Sequence, residues 1–141
     1  MNTSIKRIAY TLCTLLSLVL FNSSAKAEWV LVTGSTQAEF HVENTTMRRT
    51  GDIVKFWVLI DHKSIQKHSN NINYLSSKHQ YLINCKEEEI RLVFAVFYSG
   101  QMNQGDTLSS TTFTEKEATW QPLIPGSVRE AFGIAVCKAA Q

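Results

Sequence analysis

A helical period occurs once in this chain, at its C-terminal end. Val128, Ala131, Phe132, Ala135, Val136 and Ala139 recur at the spacings of one apolar helix face. Ser127, followed by Glu130 three residues on, carries the capping-box signature of a helix start. Pro122 and Pro125 make the approach stiff and extended, Gly126 permits a sharp turn into the helix, and Trp120 anchors the arm. A single amphipathic helix needs an apolar surface to lie on, and the regular elements between residue 28 and the helix read as strands.

Residues 28–33 open a strand, with Trp29 and Leu31 on one side and Val30 and Val32 on the other. Two short strands are expected around residues 39–43 and 47–50, with the polar turn 44–46 between them. In "IVKFWVLID", Val54, Phe56, Val58 and Ile60 alternate with Ile53, Lys55, Trp57 and Leu59, and both sides are largely apolar, as in a central strand. Residues 62–77 show no period and read as a loop or ragged edge. "QYLINC" and "EIRLVFAVFYS" form an antiparallel hairpin closed by Lys86-Glu87-Glu88. Tyr81, Ile83 and Cys85 share one face, and Ile90, Leu92, Phe94, Val96 and Tyr98 share one face of the partner. A long turn, 99–106, leads to an edge strand at 108–113. The expected fold is α+β: a single antiparallel β-sheet of about six strands with a C-terminal α-helix packed on it.

Residues 1–27 have the three parts of a secretory signal. Lys6 and Arg7 supply charge, residues 8–21 are an uncharged apolar run, and Ala25-Lys26-Ala27 is an A-x-A cleavage site. The run is shorter than the roughly 20 residues a membrane span needs. The mature domain is therefore expected to be 28–141, exported to the periplasm, the medium or the cell surface. Lys6, Arg7 and Lys26 leave with the signal, so the 14 basic residues fall to 11 against 12 acidic ones and the net charge moves from +2 to −1. With that basicity gone, nucleic acid is not an expected partner.

Cys13 lies inside the apolar run, preceded by Leu12, which does not fit the cysteine of a lipid anchor. Cys85 and Cys137 remain, an even pair in an oxidising compartment, and a disulfide between them is the default expectation. At 100° per residue Cys137 falls nearly opposite the middle of the apolar helix stripe. The bond then requires either that the helix loosen after Gly133 or that the sheet wrap its flank, and both remain open at this point.

Catalytic and metal signatures are sparse. His41, His62, His68 and His79 form no H-x-x-x-H pair on the expected helix, and Glu87-Glu88-Glu89 reads as a solvated turn. Gly34-Ser35-Thr36 lacks the lysine and helix of a phosphate loop, and no serine sits in a G-x-S-x-G elbow. No cofactor, metal or catalytic residue is expected. Trp29, Trp57 and Trp120 read as core residues before they read as a binding platform, and if one is exposed, Trp57 beside Lys55 is the one to watch.

Five features taken together resemble the bacterial surface-adhesin protein E family: Trp29, "VKFWVLID", "INC", "FYSG" and "WQPLIPGSVREAFGIAVC". The last is the most specific, joining Trp120, Pro125-Gly126-Ser127 and Cys137. The resemblance covers nearly the whole mature domain. It implies an antiparallel sheet carrying a C-terminal helix, tied by Cys85 and Cys137, and adhesion to host extracellular proteins. The expected function is an exported, non-catalytic binding domain whose partner is a host matrix or cell-envelope protein. The alternative is a periplasmic structural or accessory protein of the envelope.

Overall fold

The longest strand organises the sheet. In the computed structural model, which describes residues 27–140, strand β4 (Ile53–Lys67) pairs on one side with β2 (Ala38–Glu43) and β3 (Arg48–Thr50), and on the other with β5 (Asn73–Asn84). β1 (Trp29–Gly34) adds to β2, β6 (Glu89–Tyr98) to β5, and β7 (Thr107–Thr112) to β6. These six strands form an antiparallel path, β1-β2-β4-β5-β6-β7. The two-residue strand β8 (Gln121–Pro122) pairs with the start of β6, and helix α1 (Val128–Ala139) closes the described chain. The expected export signal lies outside the described residues except for Ala27.

Residues 62–77 are not a loop. β4 continues to Lys67 and β5 begins at Asn73, with Gln66 opposite Tyr74 and Lys67 opposite Asn73. Backbone pairing holds this hairpin where side-chain pattern gives no sign of it, because its outer end projects into solvent and needs no apolar alternation. The turn at 68–72 closes through the Ile72 carbonyl, which accepts from the His68 N–H at 2.8 Å, with Asn71 at a φ of 66°.

A second departure lies in β6. Leu92 pairs with Tyr81, but the next registered pair is Phe94 with Gln80, so Val93 is an extra residue in a β-bulge. One inserted residue reverses the facing of everything after it. Ile90 and Leu92 therefore share the Tyr81 and Ile83 side. Phe94, Val96 and Tyr98 do not; they lie on the opposite side with Gln80, Lys78 and Ser76.

The core lies between one sheet face and α1. Val42, Val54, Phe56, Val58, Tyr81, Ile83 and Ile90 meet Phe132 and Val136. The Phe132 ring stands 6.0 Å from that of Phe56 and 5.5 Å from that of Tyr81. Each such side chain contributes about 1.5–3 kcal/mol on burial.

The helix is rotated relative to the sequence expectation. Its buried residues are Phe132, Gly133 and Val136, while Val128, at the head of the expected stripe, is exposed. At 100° per residue the buried face is turned by roughly 80° from the centre of that stripe. Gly133 explains the turn. A Cβ there would come within 2.9 Å of Leu123 Cδ1 and 3.0 Å of Ile83 Cδ1, so the bare backbone seats the helix closely against the sheet. Cys137 follows Gly133 by one turn and is thereby brought to the sheet side. The Cys85–Cys137 bond forms with Cα atoms 5.8 Å apart and the helix continuous to Ala139, so no loosening after Gly133 is needed. At the other end, Ser127 Oγ accepts the Glu130 N–H at 3.2 Å. The Glu130 carboxylate accepts from Gly126, one residue earlier than in the standard box, at 2.7 Å.

Candidate binding face

Among the described residues, the face of the sheet opposite α1 has no helix on it. Strand register arranges its side chains in rows. The first runs Arg48, Lys55, Leu82, Arg91; the second Trp57, Gln80, Phe94, Thr112; the third His41, Leu59, Lys78, Val96, Ser110.

One end of this face is closed by the 99–106 turn. Ser76 Oγ donates to the Gly100 carbonyl at 2.6 Å and accepts the Asn103 N–H at 3.0 Å, while the Asp61 carboxylate accepts the Met102 N–H at 2.6 Å. Ser76 and Asp61 are buried by this arrangement, and Met102 and Asn103 are held at φ 50° and 54°. Such left-handed backbone is costly for methionine, and the buried partners hold it in place. Leu59, His41 and Val96 are buried near this end.

The first two rows and Lys78 remain accessible or half-buried. Trp57 meets Phe94 edge-to-face at 5.8 Å. Lys78 Nζ lies 5.5 Å from the Trp57 ring and 5.7 Å from that of Tyr98, and the Arg91 guanidinium is stacked 4.7 Å from Trp120. A shallow depression is lined by Trp57, Gln80, Val93, Phe94, Thr112 and Phe113. Two ion pairs occur among the described residues, Glu39 with His41 and Glu39 with Lys63, and neither engages Arg48, Lys55, Lys78 or Arg91. The arrangement is a rigid platform of aromatic rings and cations, suited to a flat surface contact.

Trp57 is half-buried beside the exposed Lys55, between the core and the exposed alternatives. Phe94, Lys78 and Arg91 were not singled out. The period-two pattern puts Phe94 on one face with Ile90 and Leu92, because the bulge at Val93 leaves no mark in it.

The histidines are not brought together as one group. His41 lies on the open face, with Nδ1 buried and without a partner. His62, His68 and His79 pack against aromatic rings on the other side: His62 against Tyr74, His68 against Phe97 at 4.5 Å, and His79 against Tyr81 and Phe97. Burial lowers His79 to about 4, aided by the nearby His62 and Arg129, and its Nε2 has no partner. Burial likewise lowers His62 and raises Tyr74 and Tyr81. Among the described residues no group of three or more His, Cys, Asp or Glu is placed to hold a metal. Ser35 caps its own turn, its Oγ accepting from the Gln37 and Ala38 N–H groups. Glu88 sits at φ 55° in the β5–β6 turn.

The model of a family described as surface-adhesin protein E matches residues 29–138. Among solved structures, the chain is similar to Haemophilus influenzae protein E, with a TM-score of 0.60 at 12% identity over 82% of this chain and 88% of that one. A second crystal form of the same protein gives 0.62 at 12% identity, over 82% and 91%. Protein E from non-typeable Haemophilus influenzae gives 0.58 at 12% identity, over 82% and 79%. No curated protein matches the chain by sequence. At this identity the structural likeness speaks to the fold: an antiparallel sheet with one C-terminal helix.

Proposed function

The chain belongs to the surface-adhesin protein E family, and from that premise we propose that it is an exported, non-catalytic domain that recognises a host extracellular protein through the open face of its sheet. The observation that supports this reading is the accessible cluster of Trp57, Phe94 and Lys78, opposite a face already filled by the helix. Exposed aromatic and cationic side chains fixed by their neighbours lose little conformational freedom on contact, which is what a binding surface requires. Its export rests on residues 1–27, whose charge, apolar run and A-x-A end have the form of a cleaved signal.

The test is to immobilise the purified protein and its Trp57→Ala variant and present host matrix proteins and cell-envelope extracts in parallel. Saturable capture of a matrix protein, weakened by the substitution, supports the adhesin. Capture of an envelope protein alone transfers the role to an accessory component of the envelope. Turnover of a peptide or ester substrate would overturn the binding role.

A further inference from the structure

The accessible part of the open face is cationic although the mature chain is not. Arg48, Lys55 and Arg91 share one row and Lys78 stands two rows away, on the same side of the sheet. None is within ion-pairing distance of a carboxylate among the described residues. The acidic residues on this face are engaged or lie at its margin. Asp61 accepts from the Met102 backbone. Glu43 accepts from the hydroxyls and N–H groups of Thr45 and Thr46, and Glu39 pairs with Lys63. Glu89 lies beyond Arg91, opposite Asn84, and marks the acidic end of the platform.

We propose that the partner surface taken by this face is acidic: a carboxylate-bearing segment of a protein that sets its apolar side chains on Trp57 and Phe94 and its carboxylates against Arg48, Lys55, Lys78 and Arg91. The inference rests on the reading of the open face as the binding face, and names the chemistry of its partner. Charge complementarity carries it, because four cations without acidic partners favour an anion and disfavour a basic surface. The apolar second row carries the rest. A nucleic acid is held chiefly through many phosphate contacts, whereas here an aromatic depression lies between the cations, as an amphipathic acidic polypeptide requires. A net charge near −1 does not oppose this, since screening limits each charge to neighbours within about 8–10 Å.

The experiment measures binding of the purified protein to poly-L-glutamate, with poly-L-lysine and heparin as parallel probes. Saturable capture of poly-L-glutamate is expected, with none of poly-L-lysine. Affinity should fall at least about tenfold between roughly 50 and 300 mM salt, as partly exposed ion pairs are screened. Arg48→Glu/Lys55→Glu changes two exposed side chains and should lower affinity by about tenfold or more, while the charge-matched Lys116→Glu/Lys138→Glu should change it less than about twofold. Equal binding by the two double variants would overturn the proposal. Capture of heparin without poly-L-glutamate would also overturn it, by assigning the cations to a polyanionic glycan. If Trp57→Ala abolishes capture of a matrix protein and Arg48→Glu/Lys55→Glu leaves it intact, the open face stands as the binding face and the acidic partner alone is refuted.

Discussion

On one side of β4, Val54, Phe56 and Val58 are fully excluded from solvent, while on the other side of the same strand Lys55 is exposed and Trp57 half-buried. The two sets alternate residue by residue, so the backbone that builds the core also carries the platform. The covered side spends its aromatic rings on the helix and is locked by the disulfide. The open side holds its rings by packing them on one another and on cations, which leaves their outer surface available. A sheet covered on one side only thus leaves a second face whose side chains are not fixed by packing against the helix.

Phenylalanines on the two sides give the sharpest way to break that separation. Phe132→Ala should cost about 3–5 kcal/mol, because it empties the middle of the core beside Phe56 and Tyr81. Phe94→Ala removes a half-buried ring and should cost about 1 kcal/mol, typical of a partly exposed site. Urea denaturation midpoints compare them directly. Equal costs would mean that the open side is as much core as the helix side.

The next largest effect is on the covered side alone. With burial holding His79 at about 4, the unfolded chain takes up a proton below the ordinary imidazole range near pH 6.5 that the folded chain refuses until pH approaches that value. Stability should therefore be full above about pH 6.5 and fall on acidification towards pH 4, by up to about 3 kcal/mol. His79→Leu should flatten this part of the pH profile. An unchanged slope would mean that another group supplies it.

How closely the helix sits can be tested at Gly133. Gly133→Leu forces a side chain into Leu123 and Ile83 and should cost about 2 kcal/mol. Ile134→Leu, on the exposed side of the next residue, should be nearly neutral. At the helix start, Ser127→Ala loses the bond to the Glu130 N–H and should cost about 1 kcal/mol.

The same two sides differ in how well they could be read from sequence. Ile53 to Asp61 and the 80–85 and 89–92 hairpin segments were legible from the alternation of apolar side chains, and the existence of the helix and its cap from a helical period and the Ser127 and Glu130 spacing. The disulfide was legible because Cys85 and Cys137 are an even pair outside the expected export signal. Legibility failed where one residue changed the phase of a pattern. Val93 inserts a bulge, and with it Phe94, Val96 and Tyr98 pass to the open side. Gly133 adds no side chain to an apolar count, yet it is the residue that turns towards the sheet and brings Cys137 with it. The hairpin end at 62–77 was missed for a third reason: its order comes from backbone pairing and aromatic contacts of His62 and His68, which make no periodic pattern. The candidate face was legible only at Trp57, because its other members are assembled by strand register.

Whether contact is made by the open side is decided by the affinity of a captured matrix protein for two variants, both verified as folded. Trp57→Ala changes the platform, and Ile134→Ala changes the exposed side of the helix. Trp57→Ala should lose about tenfold or more in affinity, as for an aromatic anchor at an interface, and Ile134→Ala should show no measurable change. Full affinity in Trp57→Ala together with a loss in Ile134→Ala would contradict contact by the open side, and would place the contact on the helix.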